Sequence, residues 1–191
     1  MTAQQAVLGT VTRLGALVGL LQTYAVPVRW NQGPESRWWE PVRRVASRLL
    51  GAALDERAGP RPITGGEFAG TLHRSHDEAE RLLWTWGFVR SPFARLKTRD
   101  GQAELGSWVY RDSPLARRQV HVMLFPAPSG VDVYAHEEPS SVHPLVGAEH
   151  FDGQEQHIAK GVRVVRERLP LDTSNAPEEP PAGAWDSRLP E

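Results

Sequence analysis

Between residues 117 and 138 apolar and polar positions alternate. Val120, Val122 and Leu124 interleave with His121, Met123 and Phe125; after a Pro/Ser/Gly stretch, Val131, Val133 and Ala135 interleave with Asp132, Tyr134 and His136. A strand repeats every two residues, so each set takes its own face of a sheet. Asp132 and His136 belong away from an apolar core, which assigns the valine sets to the buried face. Bringing those sets opposite one another pairs Leu124 with Val133 and Val122 with Ala135, leaving 127–130 as a four-residue loop. The same register sets His121 opposite His136 and Met123 opposite Tyr134. A slip of one residue would undo both pairings.

The rest of the chain reads as helices and short strands around this hairpin. Over residues 4–25, Val7, Val11, Leu14, Val18, Leu21 and Ala25 recur at spacings of three and four, an amphipathic stripe. A second stripe starts near Pro41 and runs through Val42, Val45, Ala46, Leu49, Leu50 and Ala53, with Arg43, Arg44 and Arg48 outward. Together they predict an N-terminal helical hairpin over 1–56, followed by a Pro/Gly-rich linker at 57–66. A main domain is expected over 67–170. It opens with a strand at 67–72, and Ser75 with Glu78 then forms a capping box. The helix this starts buries Ala79, Leu82, Leu83 and Trp86, and Gly87 ends it. Strands at 93–98 and 104–111 flank an Asp100-Gly101 turn. An irregular stretch at 139–153 leads to a last helix at 154–169. Asp152 caps it, and Ile158, Val162, Val165 and Leu169 face inward.

The resulting order, β-α-β-β-β-β-α, predicts a two-layer α+β domain, an antiparallel sheet with two helices on one face. That order is similar to those of TATA-binding-protein-like and helix-grip folds, a likeness of fold that implies no function. Residues 171–191 have the composition of a disordered tail, in which Trp185 and Leu189 are apolar enough to dock on a partner or on the parent domain.

Composition narrows the function classes. A formal net charge of -1 gives no bulk attraction to nucleic acid or anionic membrane, so nucleic acid is not an expected partner. The absence of cysteine excludes disulfides, thiolate metal sites and a cysteine nucleophile. The uncharged run at 14–28 is shorter than the ~20 residues of a membrane span and lacks a signal peptide's basic start and cleavage site. A cytoplasmic protein without a transmembrane segment is the expectation. No P-loop, dinucleotide fingerprint or nucleophile elbow is present, and no cofactor is indicated.

Candidate chemistry lies on the sheet face turned away from the helices. His121, Met123, Phe125, Tyr134 and His136 are placed there, with Trp108 and Tyr110 from the preceding strand expected beside them. So aromatic a surface needs a cover. The N-terminal hairpin, a partner chain or a ligand would each serve. The leading reading is therefore a non-enzymatic interaction or assembly protein, self-associating or binding another protein, with Trp185 as a further contact.

Two alternatives come from other classes. His121 and His136, with Glu137 and Glu138 close by, fit a divalent metal or an acid/base pair, a third ligand coming from His143, His150 or Asp152 in the following loop. The seven-residue spacing of His136, His143, His150 and His157 is not a helical alignment, because Pro139, Pro144, Gly147 and Gly153 break any continuous helix. Arg95, Lys97 and Arg99 alternate onto one strand face, and with Trp108 they make a candidate surface for single-stranded nucleic acid.

Overall fold

The structure, a computed structural model, describes residues 61–91, 97–113, 115–143, 145–146, 150 and 155–174, together with positions 33, 34, 41 and 45. The expected N-terminal hairpin and Trp185 lie outside the described residues. The strands are β1 (Arg61–Pro62), β2 (Phe68–Leu72), β3 (Val89–Arg90), β4 (Lys97–Arg99), β5 (Gln102–Ala103), β6 (Gly106–Tyr110), β7 (Arg118–Ala127) and β8 (Gly130–Pro139). Helix α1 spans His76–Thr85 and α2 spans Ile158–Arg168. Five strands form an antiparallel sheet in the order β2-β8-β7-β6-β3. The domain is α+β. Among the described residues no helix is long and apolar enough to cross a membrane.

The central hairpin takes the register that alternation predicts: His121 pairs with His136, Val122 with Ala135, Met123 with Tyr134 and Leu124 with Val133. Pairing continues to Ala127 and Gly130, so two residues turn the chain rather than four. Gly130 permits this with φ +146, and a Cβ there would run into the Leu72 carbonyl. Val120, Val122, Leu124, Val131, Val133 and Ala135 form one core with Ala79 and Leu83 of α1 and with Val162, Val165 and Leu169 at α2.

Local sequence explains most of the elements. Ser75 and Glu78 cap α1 reciprocally, with Ser75 Oγ donating to Glu78 Oε2 at 2.7 Å. Asp100 and Gly101 both have positive φ, and this turn joins β4 to β5. In β2 a bulge between Phe68 and Gly70 inserts one residue, so Phe68 and Thr71 both face away from the helices.

Four further expectations are corrected. Trp86 is exposed, because α1 ends at Thr85 and Trp86 sits at its C-cap; the buried aromatic is Phe88. Helix α2 begins at Ile158 without a side-chain cap. The preceding backbone is committed to the sheet, where His157 and Glu137 exchange N–H···O bonds of 2.8 and 3.0 Å. The expected strand at 93–98 is described only from Lys97, and its hairpin with β5 joins β1 in a separate three-stranded sheet. The neighbour of β6 in the main sheet is instead β3, whose two residues are too few to show alternation.

Candidate metal centre

The face of β7 and β8 away from the helices divides into two parts. At one end Met123, Phe125 and Tyr134 pack with Phe68 and Ile63. At the other, Gln119 stands opposite Glu138 and His121 opposite His136, all four buried. The two imidazoles meet edge to face with ring centroids 5.1 Å apart.

Parity alone aligns these groups. Residues 134, 136 and 138 of β8 share a face, as do 119, 121 and 123 of β7. One ligand atom from each of His121, His136 and Glu138 lies within 4.8 Å of the other two. His136 Nε2 is 3.2 Å from Glu138 Oε2, and His121 Nδ1 is 3.5 Å from Glu138 Oε1. His121 Nδ1 is buried and finds no hydrogen-bond partner among the described residues.

Each of the three side chains is also held by a neighbour. Ser107 Oγ lies 2.7 Å from His121 Nε2. Glu67 Oε1 is 2.8 Å from His136 Nδ1, and Gln119 Nε2 donates to Glu138 Oε1 at 2.8 Å. Glu67 is fixed by its own turn: its other oxygen accepts from the Thr64 N–H at 2.7 Å and the Thr64 hydroxyl at 3.0 Å. One carboxylate thus caps a 3-10 turn (Gly65–Glu67) and orients a histidine 69 residues away.

Charge follows from these contacts. Burial pulls His136 down, but hydrogen bonds to Glu138 and Glu67 outweigh it and bring its pKa to about 9. Both ring nitrogens face carboxylates, so only the imidazolium can donate to each. Burial drives His121 well below the ordinary value and keeps it neutral. Glu138 is held well below its ordinary value: burial raises it, and the histidines around it win.

The remaining predicted residues fall elsewhere. Trp108 pairs with Val122 and points into the helix-side core, fully buried; Tyr110 follows it and packs against the same core. The expectation that both share the histidine face is therefore corrected. Ser107 and Val109 occupy it. Both parities of β6 are compatible with a buried face, so sequence left the choice open.

Met123, Phe125 and Tyr134 are buried within the chain, which removes the bare aromatic surface that the assembly reading started from. Of the basic stripe, two of the three members are described. Arg95 is outside the described residues, Lys97 is buried, and Arg99 is bound to Asp132 at 2.9 Å beneath its stacking on Tyr134. His143 is turned to its own loop, its Nδ1 taking the Leu145 N–H at 3.2 Å, and His157 is exposed. Asp152 lies outside the described residues.

Of the carboxylates at the cluster, the sequence reading placed Glu138 near the histidines without naming it a ligand, and passed over Glu67. The first was legible as His136-x-Glu138 on one strand face, the second only as a Thr64-x-x-Glu67 capping box. No family model, curated protein or solved structure matches the chain.

Proposed function

We propose that this domain binds a first-row divalent cation, Zn²⁺ foremost, through His121 Nδ1, His136 Nε2 and the Glu138 carboxylate. The observation that carries the reading is the convergence of these three buried groups, each histidine with its far nitrogen already held, by Ser107 or Glu67, and Glu138 steadied by Gln119. Metal-ligating histidines almost always have their other nitrogen so engaged.

The distances support a small cation. Ligands at about 2.0–2.1 Å from a tetrahedral ion stand about 3.3 Å from one another. Glu138 meets the two imidazoles at that range through different oxygens, Oε2 at 3.2 Å from His136 and Oε1 at 3.5 Å from His121, so a turn of the carboxylate would bring one oxygen to the ion. Imidazole nitrogens with one carboxylate suit Zn²⁺ and its transition-metal neighbours over Mg²⁺ or Ca²⁺, which take oxygen shells.

The chain's residues would bring about binding by exchanging a proton for the cation. His136 Nε2 gives up the proton it shares with Glu138, while Nδ1 keeps its own on Glu67 in either state. His121 is already neutral and its lone pair on Nδ1 is free to bind. Metal analysis of the purified full chain tests the reading. About one equivalent is expected, with thermal stability lost to a chelator and restored by Zn²⁺, and both responses missing in His121→Ala and Glu138→Gln. A chain that holds no metal and whose melting temperature ignores excess Zn²⁺, Co²⁺, Ni²⁺ and Mn²⁺ would falsify it.

A further inference from the structure

Past β8 the chain does not leave the sheet. The Ser140 N–H donates to the Arg117 carbonyl at 2.8 Å, and successive turns follow: His143 N to Ser140 O, Val146 N to His143 O and His150 N to Val146 O, each 3.3 Å. Val142 and Val146 are buried beneath them. His150 lies back at the cluster, its side chain only 8% exposed and its Nδ1 3.2 Å from Glu138 Oε1. The same oxygen faces His121 Nδ1 at 3.5 Å, and the carboxylate's other oxygen faces His136 Nε2 at 3.2 Å. Three imidazole nitrogens therefore surround one buried carboxylate at near-equal range. His143, the other histidine of this segment, is held off by Leu145.

Building on the metal reading above, we infer that His150 is the fourth ligand, which closes the centre as a His₃Glu site. A tetrahedral ion with four protein ligands has no position left for water or substrate. Such a centre is structural: the ion ties the segment after β8 to the floor of the sheet, and the protein gains fold energy from it. His150 has the furthest to move: His121, His136 and Glu138 already lie within 4.8 Å of one another, and His150 Nδ1, 3.2 Å from Glu138 Oε1, would close on the other two imidazoles as the ion binds.

Co²⁺ substitution of the full chain reads coordination directly through its visible bands. The wild-type spectrum is expected to be four-coordinate and indifferent to azide. His150→Ala should bind Zn²⁺ at least about tenfold more weakly and should open a position, so that azide or imidazole now shifts the Co²⁺ bands. His143→Ala should behave as wild type. A wild-type spectrum that moves with azide overturns the fourth ligand, whether or not the variant folds. So does a folded His150→Ala with unchanged affinity. If the wild-type chain takes up neither Zn²⁺ nor Co²⁺, the metal reading itself has failed and the fourth ligand goes with it.

Discussion

Two charged clusters are buried on opposite faces of the same sheet, and they are built on different logic. On the helix side Glu80 of α1 is paired with Arg90 of β3, and Trp108 Nε1 donates to the same carboxylate at 3.4 Å. Arg90 also lies over the Trp108 ring at 5.5 Å. On the other side Glu67 and Glu138 face His136, with His121 and His150 around Glu138. A guanidinium never gives up its proton, so Glu80 keeps a permanent counter-ion even though His76 Nε2 also stands 3.3 Å from its Oε1. An imidazole does give up its proton and then offers a lone pair. Burial of charge does not by itself mark a site. What marks one is whether the compensating positive charge can be exchanged.

The sharpest way to break this contrast is to remove the fixed cation. Arg90→Met should destabilise the fold by about 3–5 kcal/mol in urea unfolding, because it strands a buried carboxylate. Metal uptake by the folded fraction should be unchanged. If stability instead recovers with Zn²⁺ in this variant alone, the two clusters are not different in kind.

The next effect comes from packing under the histidine cluster. Gly161 of α2 lies against the backbone of β8, where a Cβ would collide with the Cα and carbonyl carbon of His136. Gly161→Ala should therefore cost about 1–3 kcal/mol, despite alanine's better helix propensity. Since the strain falls at His136, metal affinity should drop too, while Arg90 and Glu80 should not feel it. Isothermal titration beside a denaturation curve separates the two readouts.

Glu67→Gln tests whether the far side of His136 matters. The amide can still accept from Nδ1 but lacks the charge, and Zn²⁺ affinity should fall by about 10–100-fold with little loss of fold. An unchanged affinity would reduce Glu67 to a turn cap.

The weakest effect belongs to an exposed His–carboxylate pair, a control for burial. His73 Nε2 lies 2.8 Å from Asp172, whose segment bridges Thr71 of β2. Hydrogen bonds to Asp172 and to the Ser129 carbonyl raise His73 from 6.5, so its contribution is full below that value and lost as pH rises through the raised one. The His73 contact brings Asp172 from 3.8 to about 2; its contribution is full above 3.8 and lost as pH falls through about 2. The pair should thus matter most between pH 3.8 and 6.5. Asp172→Asn should lower the melting temperature slightly in that window, and added salt should erase the difference.

Much of the frame was legible in the order of residues. The hairpin register followed from parity, because a shift of one residue would have put His121 and His136 among the valines. Ser75 with Glu78 and Asp100 with Gly101 announced a helix start and a turn through chemistry confined to four residues or fewer. The same parity argument, carried two residues past His136, puts Glu138 on the histidine face and not merely near it. Strand β6 was misread for a reason internal to it: Ser107 and Val109 fit a buried face as well as Trp108 and Tyr110 do.

Local pattern therefore determined which side chains of one hairpin share a face, since that depends only on pleat and hydrophobicity. Tertiary structure alone decided what meets them there. Glu67 reaches His136 across 69 positions, and His150 meets Glu138 from beyond the end of the strand. A metal-ligand set needs lone pairs aimed at one point to within a few tenths of an ångström. Sequence spacing carries that information along a strand, and loses it at the first loop whose path depends on everything it packs against.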